Sequence, residues 1–174
     1  VDVPTKVLFG AGQLNELGKQ SLPGKKALLL ISNGKSTKAN GYLERTEQQL
    51  SQAGVEYAIF AEIEPNPLKS TVMGGAAFAR ENGCDFIVAL GGGSVMDASK
   101  AISLMMANPE HDERLLYTKV QTSADGPVRE AFPEAEVPTT AGTGSEVTPY
   151  AILTKNVLPD IVLTTVPLEK DREA

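Results

Sequence analysis

Residues 91–100 read Gly-Gly-Gly-Ser-Val-Met-Asp-Ala-Ser-Lys, directly after the apolar run Phe86–Leu90 (FIVAL). Three glycines without Cβ atoms let backbone come close to a ligand, and the first turn of a following helix offers free N–H groups and a positive dipole end. That is the chemistry of a phosphate cradle, and Gly91, Gly92, Gly93 and Ser94 are its candidate residues. A plain strand-to-helix turn is the competing reading, with Ser94 as N-cap and Asp97 completing a capping box. Asp97 has two readings of its own, a contact to a cofactor hydroxyl or a surface pair with Lys100.

A second segment, Thr139-Thr140-Ala141-Gly142-Thr143-Gly144-Ser145-Glu146, carries small hydroxyl residues and no bulk. It can line the other side of a nucleotide, or it can be a glycine-rich bend whose hydroxyls bond their own backbone. A third lies after the run Ala27–Ile31 (ALLLI), where dinucleotide folds place a carboxylate that binds the ribose 2′-OH. Here the residue is Asn33, uncharged, with Lys35 and Lys38 close by, which leans toward tolerance of a 2′-phosphate; an ordinary turn with solvated lysines is the alternative. Pro65-Asn66-Pro67, after the run Val55–Phe60 (VEYAIF), is a stiff turn that brings Asn66 to the same edge.

Other chemistries find little support. Cys84, the one cysteine, leaves no partner for an internal disulfide, fits a reducing compartment, and reads as a semi-buried thiol. His111 is the one histidine and reads as solvent-exposed in a polar connection, so a self-contained histidine metal site cannot be built. Met96, Met105 and Met106 read as core filler. With 16 Lys and Arg against 22 Asp and Glu, the net charge of −6 speaks against nucleic acid or an anionic membrane as a partner. Any phosphate must be held locally.

The elements that position these residues follow a βαβ rhythm. The three apolar runs recur at roughly thirty-residue intervals with amphipathic helical stretches between them, stopped by Gly54 and by Asn82-Gly83. A helix from about Val95 to Ala107 follows the glycine run. Near-continuous apolar strands of this kind predict an α/β fold, a doubly wound, mainly parallel, Rossmann-like sheet covered on both faces. Lys6–Phe9 adds an N-terminal strand or hairpin, and Leu14 with Leu17 begins a short helix. The 174 residues suit a single domain, with 108–136 as a long surface connection and a last apolar run at Asp160–Leu163. No apolar run approaches the ~20 residues of a membrane span and no signal peptide is visible, so the expected location is cytoplasmic.

Lys6–Gly10, Pro65–Pro67, residues 91–100 and the stretch Pro138–Thr154 (PTTAGTGSEVTPYAILT) together resemble the N-terminal domain of the iron-containing alcohol dehydrogenases. The resemblance covers most of residues 1–154. It implies NAD or NADP as cofactor, with the pyrophosphate on Gly91, Gly92, Gly93 and Ser94, Asp97 nearby, and further contacts from Asn66, Thr139, Thr140, Thr143 and Ser145. The choice between NAD and NADP falls to the Asn33 position. It also implies hydride transfer between an alcohol or aldehyde and the nicotinamide, assisted by a divalent metal, iron or zinc. Family members continue into a helical domain whose aspartate and histidines hold that metal; this chain stops before it, residues 155–174 match poorly, and no residue here is assigned as a metal ligand. A domain that normally packs on a second one exposes apolar surface, so packing on that helical domain or self-association as a homo-oligomer is expected. A non-catalytic nucleotide-binding module is the alternative. A kinase with a glycine-rich ATP loop is a third reading, weakened because residue 93 is glycine where such loops carry an acid.

Overall fold

A computed structural model describes residues 6–8, 13–116, 128–139 and 161–163. Six strands form one sheet, β1 (Lys6–Leu8), β2 (Lys26–Ser32), β3 (Glu56–Ile63), β4 (Phe86–Gly91), β5 (Glu134–Pro138) and β6 (Ile161–Leu163). Their order is β1-β6-β5-β4-β2-β3, and every neighbouring pair is parallel. Four helices accompany them, α1 (Ser36–Ala39), α2 (Tyr42–Gln52), α3 (Lys69–Glu81) and α4 (Gly93–Ala107), with 3-10 turns at Gln13–Lys19 and Glu113–Leu116.

Alternation along the central strands splits the core in two. Leu28 and Leu30 of β2 and Ile87 and Ala89 of β4 face α3 and α4, where they meet Val72, Ala76, Ala98, Ile102 and Met105. Ala27, Leu29 and Ile31 with Phe86, Val88 and Leu90 face the other side, against Leu14, Leu17 and Leu50. Burying both faces is why these strands read as unbroken apolar runs rather than alternating ones. Each fully buried leucine contributes about 1.5–3 kcal/mol, so β2 and β4 anchor the domain. The three methionines are buried in this core, as their helical spacing predicts. The helix stops also stand where expected, with Gly54 and Gly83 in left-handed conformation and the N–H groups of Val55 and Cys84 reaching back to Leu50 and Ala79.

Of the expected N-terminal strand or hairpin, the strand is present, as β1 pairs in parallel with β6. Four sequence readings change. The connection assigned to 108–136 gives up Glu134–Glu136 to β5, where Glu134 and Glu136 are wholly buried; their charges masked a period-two pattern whose other members, Ala135 and Val137, fill the core. His111 is buried, not exposed, because the chain turns back on itself right after α4. Lys100 is likewise fully buried and does not lie on the surface. Finally, α4 starts at Gly93 with Gly92 as N-cap and no side-chain cap, which removes the Ser94 capping box.

Candidate functional site

Because all strands are parallel, every strand C-terminus lies on one edge of the sheet. The chain leaves β2 outward to β3, returns past β2 to β4, and continues to β5, so the order of the strands reverses between β2 and β4. Open α/β sheets form a ligand crevice at such a point.

The residues after β4 shape that crevice. Gly91 has φ +156, and a Cβ there would stand 2.7 Å from Cγ2 of Val95, so only glycine fits this close turn of strand into helix. Gly92 is extended, and its carbonyl accepts the first helical hydrogen bond from the Met96 N–H at 3.1 Å. The N–H groups of Gly93, Ser94 and Val95 are thereby left without intrahelical acceptors, at the positive end of a fifteen-residue helix. Asp97 lies half-buried one turn further in.

The hydroxyl-rich segment begins beside this loop. The Thr139 N–H donates to the Gly91 carbonyl at 2.8 Å, which fastens the end of β5 to the end of β4. Two motifs separated by some forty residues therefore start at one place. Thr140, Thr143 and Ser145 lie outside the described residues.

Across the crevice, the Asn33 N–H donates to the Ile63 carbonyl at 2.9 Å and its side chain is exposed. Lys35 and Lys38 are exposed beside it. Asn66 follows β3 in left-handed conformation at φ +51, exposed at the same edge. The sequence reading missed what holds that turn. Glu64 accepts from the Leu68 N–H at 2.7 Å and from the Thr71 hydroxyl at 2.9 Å, so one carboxylate caps α3 and folds Pro65-Asn66-Pro67 over it. An acid five residues before the helix start at Lys69, across two prolines, was the available signal.

Asn33, Asn66, Gly91–Ser94 and Thr139 are thus gathered on one edge from four strand ends. Cys84 and His111 are not. Cys84 sits before β4, at the opposite edge, where burial pushes its thiol above the usual range; Lys26 opposes that and Asp85 adds to it. His111 follows the far end of α4, about 22 Å of helix from the glycine loop. Near it, the Arg129 and Arg114 hydrogen bonds hold the Glu110 and Asp112 carboxyls below their ordinary values. Among the described residues no group of three or more His, Cys, Asp or Glu can hold a metal ion.

The family model for iron-containing alcohol dehydrogenases matches residues 4–162. The chain belongs to that family. Its similarity to the Bacillus subtilis probable NADH-dependent butanol dehydrogenase 1 is 38% identity over 151 residues, covering 87% of this chain and 38% of that protein. To the NADPH-dependent butanol dehydrogenase of Clostridium saccharobutylicum it is 30% identical, covering 92% of this chain and 43% of the relative. The solved iron-containing alcohol dehydrogenase from Thermotoga maritima superposes with a TM-score of 0.79 at 34% identity, covering 92% of this chain and 46% of that one. The chain spans less than half the length of these iron-type dehydrogenases. Among the described residues no helix is long and apolar enough to cross a membrane.

Proposed function

We propose that this chain is the dinucleotide-binding part of an alcohol dehydrogenase of the iron-containing family, taking NADP(H) as well as NAD(H). The observation that carries the reading is the Thr139–Gly91 bond, which sets the first residue of the hydroxyl-rich segment beside three N–H groups that have no intrahelical acceptor at the start of α4. A pyrophosphate there would receive hydrogen bonds from Gly93, Ser94 and Val95 and gain from the helix dipole. Asn66 and Thr139 would flank it, with Thr140, Thr143 and Ser145 following in the chain. At the glycine loop the pyrophosphate would be met by backbone N–H groups, in keeping with an acidic composition that offers no broad basic surface.

When bound, the nicotinamide supplies hydride transfer to or from the carbinol carbon of a small alcohol or its aldehyde. The chain's own residues bind and orient the cofactor. The metal of the family name finds no donor set among the described residues. Membership in a dehydrogenase family displaces the kinase reading of the glycine loop.

At the adenosine end, Asn33 presents an uncharged amide where a carboxylate would repel a 2′-phosphate, and Lys35 and Lys38 add positive charge. Fluorescence titration with NADH and NADPH tests both parts. Both should bind, and Asn33→Asp should weaken NADPH by about tenfold while sparing NADH. Absence of binding by either cofactor at millimolar concentration would refute the proposal.

A further inference from the structure

One face of β5 is held to α4 by polar groups rather than by apolar packing. Ala135 and Val137 go to the core on the other side of the sheet, and among the described residues no β5 side chain joins the apolar cluster around α4. In its place a seam runs along the helix. The Ser99 hydroxyl donates to the Glu134 carboxylate, with both groups fully buried. The Ser103 carbonyl accepts from the Phe132 N–H at 3.1 Å, and the Phe132 ring, just before β5, packs against the apolar cluster around α4. Asn108, fully buried at the helix end, grips the Arg129 backbone from both sides, accepting its N–H at 2.7 Å and donating to its carbonyl at 3.0 Å. The Arg129 guanidinium adds bonds to the Ala107 carbonyl at 3.3 Å and the Glu110 carboxylate at 2.6 Å.

Residues 99, 103 and 108 thus meet 134, 132 and 129 in antiparallel order, from mid-helix to the edge remote from the glycine loop. The loop end of α4 is tied covalently to β4 through Gly92. The β4–β5 ladder, from Ile87 opposite Glu134 to Gly91 opposite Pro138, sets the height of Thr139 relative to Gly91, and nothing covalent and short ties the loop end of α4 to β5, so the fit of that ladder against the helix rests on where the 129–134 segment is fastened. We infer that Ser99 and Asn108 are positioning residues, whose seam sets β5 in register against α4 and so presents Thr139 to the glycine loop. Its bearing on cofactor binding rests on the reading above; the positioning itself does not.

Amide hydrogen exchange of the full chain measures the positioning without any cofactor. In Ser99→Ala, protection of the Thr139 N–H should fall at least about tenfold further than that of Leu29 in central β2, because the lost bond leaves a buried acceptor unsatisfied and loosens β5 locally. Asn108→Ser, which leaves the apolar core intact, should act in the same direction and serves if Ser99→Ala does not fold. Thr139 protection that is unchanged, or that falls only in step with Leu29, would overturn the inference. In the same variants NADH affinity should drop about three- to tenfold, whereas Val72→Ala, in the core and off the seam, should leave it within about twofold. Equal losses in the seam and Val72 variants would mark a merely structural role. Failure of the parent chain to bind NADH would count against the cofactor reading and leave the exchange result to decide the positioning.

Discussion

Gly91→Ala is the sharpest perturbation of the loop, because two independent penalties fall on one methyl group. At φ +156 an L side chain is strained, which costs about 1–3 kcal/mol. The new Cβ would also stand 2.7 Å from Val95 Cγ2, 3.1 Å from its Cβ and 3.5 Å from its Cγ1. Val95 is itself buried in the core around α4, so it cannot simply swing away, and overpacking of this kind costs about 1–3 kcal/mol. Together roughly 2–5 kcal/mol of stability should be lost, which for a chain of this length lowers Tm by about 5–15 °C. Thermal unfolding followed by circular dichroism measures it. The double variant Gly91→Ala/Val95→Ala removes both Cγ atoms but keeps the strained φ. It should therefore be more stable than the sum of the single changes predicts, by about 1 kcal/mol. Since the Gly91 carbonyl holds the Thr139 N–H, the folded fraction of Gly91→Ala should also bind NADH more weakly. A Tm within about 2 °C of the parent, or strict additivity in the double variant, would refute the account of this loop.

Asp85 accepts from the Lys25 N–H at 3.0 and 2.9 Å and from the Lys26 N–H at 3.0 Å, clamping the start of β2 to that of β4; Asp85→Ala should cost about 1.5–3 kcal/mol in urea unfolding. In α3, Gly74 is open and Gly74→Ala should stabilise by about 0.5–1 kcal/mol, whereas Gly75→Ala would bring a methyl 2.7 Å from Ile102 Cδ1 and should not; equal effects would contradict the packing of α3 on α4. Burial raises the Cys84 thiol pKa, so its contribution to stability is complete below the unfolded value of about 8.5 and is lost as pH climbs through the folded one. Native Cys84 should accordingly react with a disulfide reagent at pH 8 far more slowly than in denaturant, and equal rates would show the thiol to be accessible.

Much of the architecture was legible because it rests on local rules. Apolar runs buried on both faces announced β2 and β4, glycines placed the helix stops, and the glycine run after a strand announced the turn from β4 into α4. What misled was charge. Glu134 and Glu136 looked like loop because strand patterns are judged by hydrophobicity, and a partner on another element, such as Ser99 for Glu134, is invisible to such a pattern. His111 and Lys100 failed the same way, since a residue's burial is decided by what folds over it.

The residue types of the site were therefore set by the chain itself. Gly91 must lack a Cβ, the first turn of α4 leaves N–H groups without intrahelical acceptors, and an uncharged Asn33 follows β2. Their meeting was decided only by the tertiary structure. Parallel pairing carries four strand ends to one edge, the reversal of strand order opens the crevice between β2 and β4, and one hydrogen bond from Thr139 to Gly91 joins motifs far apart in the chain. Such contacts depend on the register of a sheet and the fastening of a helix, and no local stretch of sequence encodes either.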